Sequence, residues 1–235
     1  MSQSYFDFRQ FRVCHGASSM PVGTDAVLLG CWADLRGACR VLDIGTGCGV
    51  VALMAAQRAE RALVDGIDID TPSVEQARRN AQASPFASRV RVLQADVREF
   101  SLSCGQYDHV LCNPPFFVND VLPPGERRMR ARNASALPAC RLLDAVARLL
   151  CDDGVFSVVL PSQSQAAFVG QALERGLCLA RSLHVRTVLR KPPKRVLLEF
   201  ARHRVPQPSC GEILLQSDDG SRSPDYARLT RDFYL

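Results

Sequence analysis

Short apolar runs bounded by glycine, proline and charged residues recur along the chain, and most are followed by a stretch whose apolar positions repeat with helical spacing. Runs over 41–44, 63–69, 90–94 and 107–112 are too short for helices and read as buried strands. The first, Val41-Leu42-Asp43-Ile44, enters the turn Gly45-Thr46-Gly47-Cys48-Gly49 and then an alanine-rich helical segment over 50–58. A second helix starts near Pro72, with Asp70 at the capping position. Downstream, 137–150 reads as a helix, 154–160 as a buried strand, 163–175 as a helix, and 177–185 and 195–201 as final strands. No helix separates those last two, so they are expected to form an antiparallel hairpin. Ahead of the first strand, 11–20 suggests a short hairpin, and the segment from Val22 to Gly30 opens a helix with Thr24 or Asp25 as cap. The alternation implies an α/β fold, a Rossmann-like doubly wound sheet with helices on both faces. Ligands of such sheets bind where strand order reverses, so the glycine turn and the end of the 107–112 strand should face each other.

At 235 residues and 47% hydrophobic, the chain suits one domain, 1–235, with an N-terminal extension to about 35 and a C-terminal tail from about 205. The first residues lack the apolar stretch of a targeting segment, and no run approaches membrane-spanning length, so a soluble, cytoplasmic protein is expected. Ten cysteines include no C-x-x-C pair, and residues such as Cys31, Cys112 and Cys151 lie in apolar surroundings, which favours core packing over disulfides or a metal site. Four scattered histidines support neither a metal centre nor a catalytic triad. The net charge is +5, and 27 arginines accompany only two lysines. Basic residues cluster at Arg127, Arg128, Arg130 and Arg132, and again at Arg186, Arg190, Lys191, Lys194 and Arg195, a pattern suited either to nucleic-acid phosphates or to solvated loops.

The glycine turn follows G-x-G-x-G, and the place where a dinucleotide fingerprint has its third glycine is Val50. A pyrophosphate cradle is therefore the weaker reading. Backbone without side chains also lets S-adenosylmethionine lie close, its amino-acid end near Asp43 and Gly45, Gly47 and Gly49. Asp68 stands about 20 residues beyond the turn, the spacing at which an acid reaches ribose hydroxyls. Asp96 ends the third strand, where it could accept from an adenine amine or sit in a solvated loop. The fourth strand closes on Asn113-Pro114-Pro115-Phe116. The Asn113 side-chain oxygen and the Pro114 carbonyl can both accept hydrogens from one exocyclic NH2, and Phe116 offers a stacking face, with Phe117 next to it in sequence. The same four residues could also form an ordinary strand-to-turn junction.

Taken together, Val22-Gly23-Thr24-Asp25, Leu28-Leu29-Gly30 with Trp32, the glycine loop and Asn113-Pro114-Pro115-Phe116 resemble the bacterial tRNA (adenine-N6)-methyltransferases that modify adenine 37 of valine tRNA. Ala131-Arg132, Val159-Leu160-Pro161, Arg195-Val196-Leu197-Leu198 and a tail of Tyr226, Leu229, Phe233 and Tyr234 extend the likeness to roughly residues 5–235. The resemblance implies a seven-stranded class I methyltransferase sheet with an antiparallel last strand, S-adenosylmethionine as cofactor and tRNA as partner; a monomer is expected. It also implies that Asn113, Pro114, Pro115 and Phe116 hold the acceptor amine. Similar enzymes often carry tyrosine where Phe116 stands. Guanine-N2 rRNA methyltransferases and glutamine-N5 protein methyltransferases share the turn, which reports an amine and leaves its owner open. An NAD-dependent oxidoreductase on the same sheet would need a third glycine or a phosphate-accommodating substitute and a hydride-site acid or histidine, none of which the sequence offers, and intact Asp43, Asp68 and Asn113 argue against a noncatalytic RNA-binding protein.

Overall fold

The computed structural model describes residues 4–16, 18, 21–101, 106–114 and 137–235. Near the N-terminus β1 (Tyr5–Asp7) pairs antiparallel with β2 (Arg12–Cys14), and α1 (Thr24–Trp32) follows. The hairpin thus lies earlier than the pattern over 11–20 suggests, because Phe8 and Phe11 fold inward at its turn. Helix α1 is capped by Gly23 without a side-chain bond, so neither Thr24 nor Asp25 is the cap. Asp25 instead pairs with Arg195, 2.8 Å away.

The central sheet comprises β3 (Arg40–Ile44), β4 (Leu63–Asp68), β5 (Val90–Gln94), β6 (Tyr107–Cys112), β7 (Leu150–Pro161), β8 (Cys178–Arg186), β9 (Arg195–Ala201) and β10 (Ser209–Leu214). Their order is β10-β8-β9-β7-β6-β3-β4-β5. Strands β3 to β7 run parallel, and β9 is antiparallel to both β7 and β8. Strand order reverses between β3 and β6, as expected. The seven-stranded sheet is present, and β10 adds an eighth strand parallel to β8 where the sequence reads as tail. Only Ile213 of β10 is buried, so this edge strand carries no alternation to betray it. Strand β7 begins at Leu150, earlier than the apolar run, through a register shift opposite β6.

Helices α2 (Val50–Arg58), α3 (Thr71–Gln82), α4 (Ala139–Leu149), α5 (Gln165–Leu173) and α6 (Pro224–Thr230) complete the layers. Helix α2 is buried from Val50 through Ala56, which explains its small, apolar composition. Asp70 caps α3 by accepting from Ser73 N at 3.1 Å, with Pro72 in the first turn. In α4, Leu142, Ala145, Val146 and Leu149 recur at helical spacing and turn one face to the sheet. The α4 and α5 side forms one apolar cluster with Phe156, Phe168 and Phe200, while α1, α2 and α3 form the other.

Both chain ends join that second cluster. Phe8 stacks on Phe11 with ring centroids 4.7 Å apart and meets Phe233 edge-on, while Arg9 N donates to Phe233 O at 2.9 Å. The tail residues Phe233 and Tyr234 therefore clasp the N-terminal hairpin, with Tyr226 packed edge-on against Tyr234, an aromatic contact that adds to plain area burial. Of the cysteines, Cys31, Cys48 and Cys112 are buried, as expected for core residues. Cys14, Cys39 and Cys210 are exposed, because they sit on a hairpin, a turn and an edge strand; Cys151 is intermediate.

One polar row crosses the sheet. His109 Nε2 lies 2.9 Å from Ser157 Oγ, which donates to Glu199 Oε1 at 3.0 Å, and Arg181 pairs with Glu199 Oε2 at 2.5 Å. Asp34 N also donates to Glu199 Oε1, fixing the end of α1. Glu199 is 3% exposed, and these partners offset the cost of burying its carboxylate. Glu199→Ala strands a partly buried guanidinium and is expected to lower stability by about 3 kcal/mol. Urea denaturation would read this as a lower midpoint with an unchanged slope.

Candidate active site

The carboxyl ends of β3, β4, β5, β6 and β7 share one edge of the sheet, and the candidate residues collect there. Asp43 sits in β3 at 1% exposure and turns its carboxylate under the glycine loop. Its Oδ2 accepts from Thr46 Oγ1 at 2.6 Å and from Ala52 N at 3.1 Å, tying strand, loop and helix together. Gly45 N and Thr46 N both donate to Ile67 O, and Gly47 N donates to Asp68 Oδ2 at 2.9 Å. Gly45, Gly47 and Gly49 all have positive φ, 71°, 56° and 85°. Side chains resist that conformation, which is why the loop is spelled with alternate glycines.

Asp43 lies beneath the loop rather than open to a ligand, so its role is to hold the backbone that a cofactor would meet. Burial, reinforced by the charge of Asp68 and opposed by the bonds from Thr46 and Ala52, raises its pKa to about 7. Gly66, the register partner of Asp43 on β4, is part of the same arrangement. A Cβ there would come within 2.8 Å of Thr46 Oγ1, the hydroxyl that Asp43 uses.

Asp68 accepts one backbone N–H on each oxygen, from Gly47 and from Asp70. Each oxygen keeps a lone pair for a ribose hydroxyl. A side chain at Gly45 would meet nothing within 4 Å, so the loop has an open face beside this acid. These features fit S-adenosylmethionine. Asp96 lies just beyond β5 on the same edge, where Arg98 pairs with its carboxylate and holds its pKa low. Its place suits an adenine contact, with Arg98 as a competing partner.

Ile44 and Cys112 are register partners, so Gly45 and Asn113 leave adjacent strands side by side. Asn113 is partly exposed and Pro114 is buried. Pro115, Phe116, Phe117, Arg127, Arg128, Arg130 and Arg132 lie outside the described residues. Arg190, Lys191 and Lys194 are exposed in the turn between β8 and β9, at the same edge. Arg186 differs from them: it pairs with Glu212 and donates to the carbonyls of Leu189 and Lys191, so it shapes the turn. Among the described residues no group of three or more His, Cys, Asp or Glu could hold a metal, and no helix is long and apolar enough to cross a membrane.

Asn80 escaped the sequence reading. At 3% exposure, its Nδ2 donates to Cys48 O in the loop and to Cys14 O, while its Oδ1 accepts from Cys14 N at 3.0 Å. It thereby fastens the N-terminal hairpin to the glycine loop. The signal was an amide on the buried stripe of α3, alongside Val74, Ala77 and Ala81.

A doubly wound sheet with an antiparallel seventh strand, a glycine loop and an Asn-Pro turn at its switch point defines a class I methyltransferase. Residues 17–174 match the family model described as methyltransferase small domain, and the chain belongs to that family. More narrowly, it belongs to the family of tRNA1(Val) (adenine(37)-N6)-methyltransferases. A relative of that name from Phocaeicola vulgatus is 40% identical, with the match covering 100% of this chain and 99% of the relative. Another from Erwinia tasmaniensis is 41% identical over 98% of this chain and 94% of its own length. In fold, the chain resembles the crystal structure of a predicted O-methyltransferase from Agrobacterium tumefaciens, with a TM-score of 0.65 and 23% identity, covering 89% of this chain and 96% of that one.

The elevated Asp43 pKa has a definite sign. Between about 4 and 7 the folded protein keeps a proton that the unfolded chain releases, so this group's contribution to stability falls as pH rises through that window. Wild type is expected to gain stability relative to Asp43→Asn as cofactor-free protein is taken from pH 8 to pH 5. Thermal melts of the two proteins across that range check the trend; parallel curves would reject it. Gly66→Val is expected to push Thr46 off Asp43 and weaken S-adenosylmethionine binding, measured by calorimetry, more than it lowers the melting temperature.

Proposed function

We propose that this chain, working as a monomeric single-domain enzyme in the cytoplasm, transfers a methyl group from S-adenosylmethionine to N6 of adenine 37 in the anticodon loop of valine tRNA. The observation that carries this is the emergence of the glycine loop and Asn113-Pro114 from adjacent strands in register, in a chain about 40% identical to its tRNA-methylating relatives from end to end.

The loop backbone at Gly45, Gly47 and Gly49 would hold the cofactor, with Asp68 on its ribose and Asp96 near its adenine. When bound, S-adenosylmethionine supplies an electrophilic methyl group on a sulfonium. The acceptor amine is a poor nucleophile, because its lone pair is delocalised into the ring. Asn113 Oδ1 and the Pro114 carbonyl would accept its two hydrogens, favouring a pyramidal nitrogen with its lone pair directed at the methyl group. Phe116 would stack on the base, worth about 1–3 kcal/mol. Nucleotide 37 lies in a loop, so splaying it out costs less than extruding a base from a duplex.

No base need act before transfer, since the extra proton can leave to water afterwards. Asp43, which burial raises toward neutrality, is engaged beneath the loop and is not available to the amine. Arg127, Arg128, Arg130 and Arg132, which follow the Asn113 motif in sequence, and Arg190, Lys191 and Lys194 of the β8–β9 turn would contact tRNA phosphates, which position the RNA without reading its sequence.

Asn113→Ala is expected to keep calorimetric affinity for S-adenosylmethionine within about twofold while methylation falls by about 100-fold or more. Equal loss of both would reject the assigned role. Mass spectrometry of nucleosides from a strain lacking the gene tests the substrate: N6-methyladenosine should vanish from tRNA and return on re-expression. A fall in N2-methylguanosine of rRNA instead would assign the turn to guanine, and no change in either would direct attention to a protein glutamine.

A further inference from the structure

Three family-like motifs that the proposed chemistry leaves unexplained meet at one place. Val22-Gly23-Thr24-Asp25 starts α1, Val159-Leu160-Pro161 ends β7, and Arg195-Val196-Leu197-Leu198 opens β9. Pro161 and Arg195 are register partners, and Arg195 Nε donates to Asp25 Oδ2 at 2.8 Å. Arg195 is 38% exposed and Asp25 29%, and an ion pair this open to water adds little to stability. Its position is more informative. Strand β9 runs against β7, so its first residue lies on the carboxyl edge, two strands from Asn113 in the order β9-β7-β6. Two strand spacings are about 10 Å, comparable with the span of one nucleotide.

The guanidinium is held from two sides. Nε is taken by Asp25 and Nη1 donates to Lys194 O at 3.2 Å, while Nη2 has no partner among the described residues. Ordering comes from the turn as well: Lys194 N donates to Val185 O, and Arg186 braces the carbonyls of Leu189 and Lys191. On the other side, Cys14 is fixed by Asn80, and Ser18 Oγ lies 3.7 Å from the Cβ position at Gly47 of the glycine loop. A carboxylate orienting a guanidinium is a common way to aim the remaining N–H groups at a phosphate oxygen. Asp25 offsets the charge of Arg195, and the exposed cations Lys194, Lys191 and Arg190 belong to the turn that leads into it.

We infer that Arg195 binds a backbone phosphate next to the methylated nucleotide, and that Asp25 is the positioning residue that aims it. This rests on the tRNA reading above and assigns part of the surface that reading needs. Lys191, Lys194 and Arg190 supply long-range attraction, whereas the Asp25–Arg195 pair supplies direction.

The test uses full-length protein, unmodified valine tRNA transcript, and binding measured from about 50 to 200 mM KCl. Wild-type protein should methylate the transcript. Arg195→Gln should raise the Kd for tRNA about tenfold and lower the slope of log K against log salt by about 0.7–0.9, the loss of one phosphate contact. Its KM for S-adenosylmethionine should stay within twofold. Asp25→Asn should leave tRNA affinity near wild type but lower kcat, since the cation remains and its aim is lost. Asp25→Asn combined with Arg195→Gln keeps an amide-to-amide bond across the pair, so restored tRNA binding in it would show a purely structural link and overturn the inference. An unchanged salt slope in Arg195→Gln would do the same. If wild type fails to methylate the transcript, the tRNA reading falls, and the phosphate assignment with it; methylation with an unchanged slope removes the phosphate contact alone.

Discussion

The buried carboxylate of Asp43 is the constraint on which the rest of the site depends. A parallel strand buried on both faces has no solvent to receive a turn, so the chain must leave it through backbone bonds made locally. Asp43 supplies an acceptor for Thr46 and for the first turn of α2, and Ile67 O takes the N–H groups of Gly45 and Thr46. The loop is thereby fixed before any ligand arrives. Burying an acid is costly, as its raised pKa records, and the two bonds it accepts are what make the cost tolerable.

The same logic extends outward in steps. Asp68 ties the loop to β4, Asn80 ties it to the N-terminal hairpin, and the aromatic clasp of Phe8, Phe11 and Phe233 ties that hairpin to the C-terminal residues. On the far half of the sheet, Glu199 holds the end of α1 against β7, β8 and β9. Both chain ends thus brace the cofactor side, while the row through Glu199 braces the side that carries the basic turn. Apart from the aromatic clasp, each fastening uses a polar group with its partners present, which is the condition for a buried polar group to stiffen a fold.

Most of this architecture was legible because it is written in local patterns. Apolar runs placed β3, β4, β5, β6 and β9, the Gly-x-Gly-x-Gly spelling placed the loop, and Asp70 with Pro72 marked the start of α3. The parts that were not legible depend on partners distant in sequence. Asn80 finds Cys14 across 66 residues and Asp25 finds Arg195 across 170, and no window along the chain displays such a pairing. Asp25 looked like a helix cap because a polar residue before an apolar helix usually is one. Strand β10 was missed because an edge strand with one buried side chain has no periodicity to read. A strand-end acid such as Asp43 often faces the ligand; here the loop itself takes up the carboxylate.

The proposed acceptance of two amine hydrogens at Asn113 and Pro114 would serve adenine, guanine and glutamine alike, so on that reading selectivity comes from the surroundings, and the fold separates the two sides of Asn113 spatially. Strands β3, β4 and β5 present the glycine loop, Asp68 and Asp96 to one side of Asn113, whereas β7, β9 and β8 present Pro161, Arg195 and the basic turn to the other. The polar bonds that hold the glycine loop come from β3, β4 and α3, none of which lies on the second side. A scaffold divided in this way can keep one methyl-transfer geometry while its acceptor surface varies. In this chain that surface carries exposed cations at Arg190, Lys191 and Lys194, with the paired Arg195 beside them, a chemistry suited to a polyanion rather than to a protein loop.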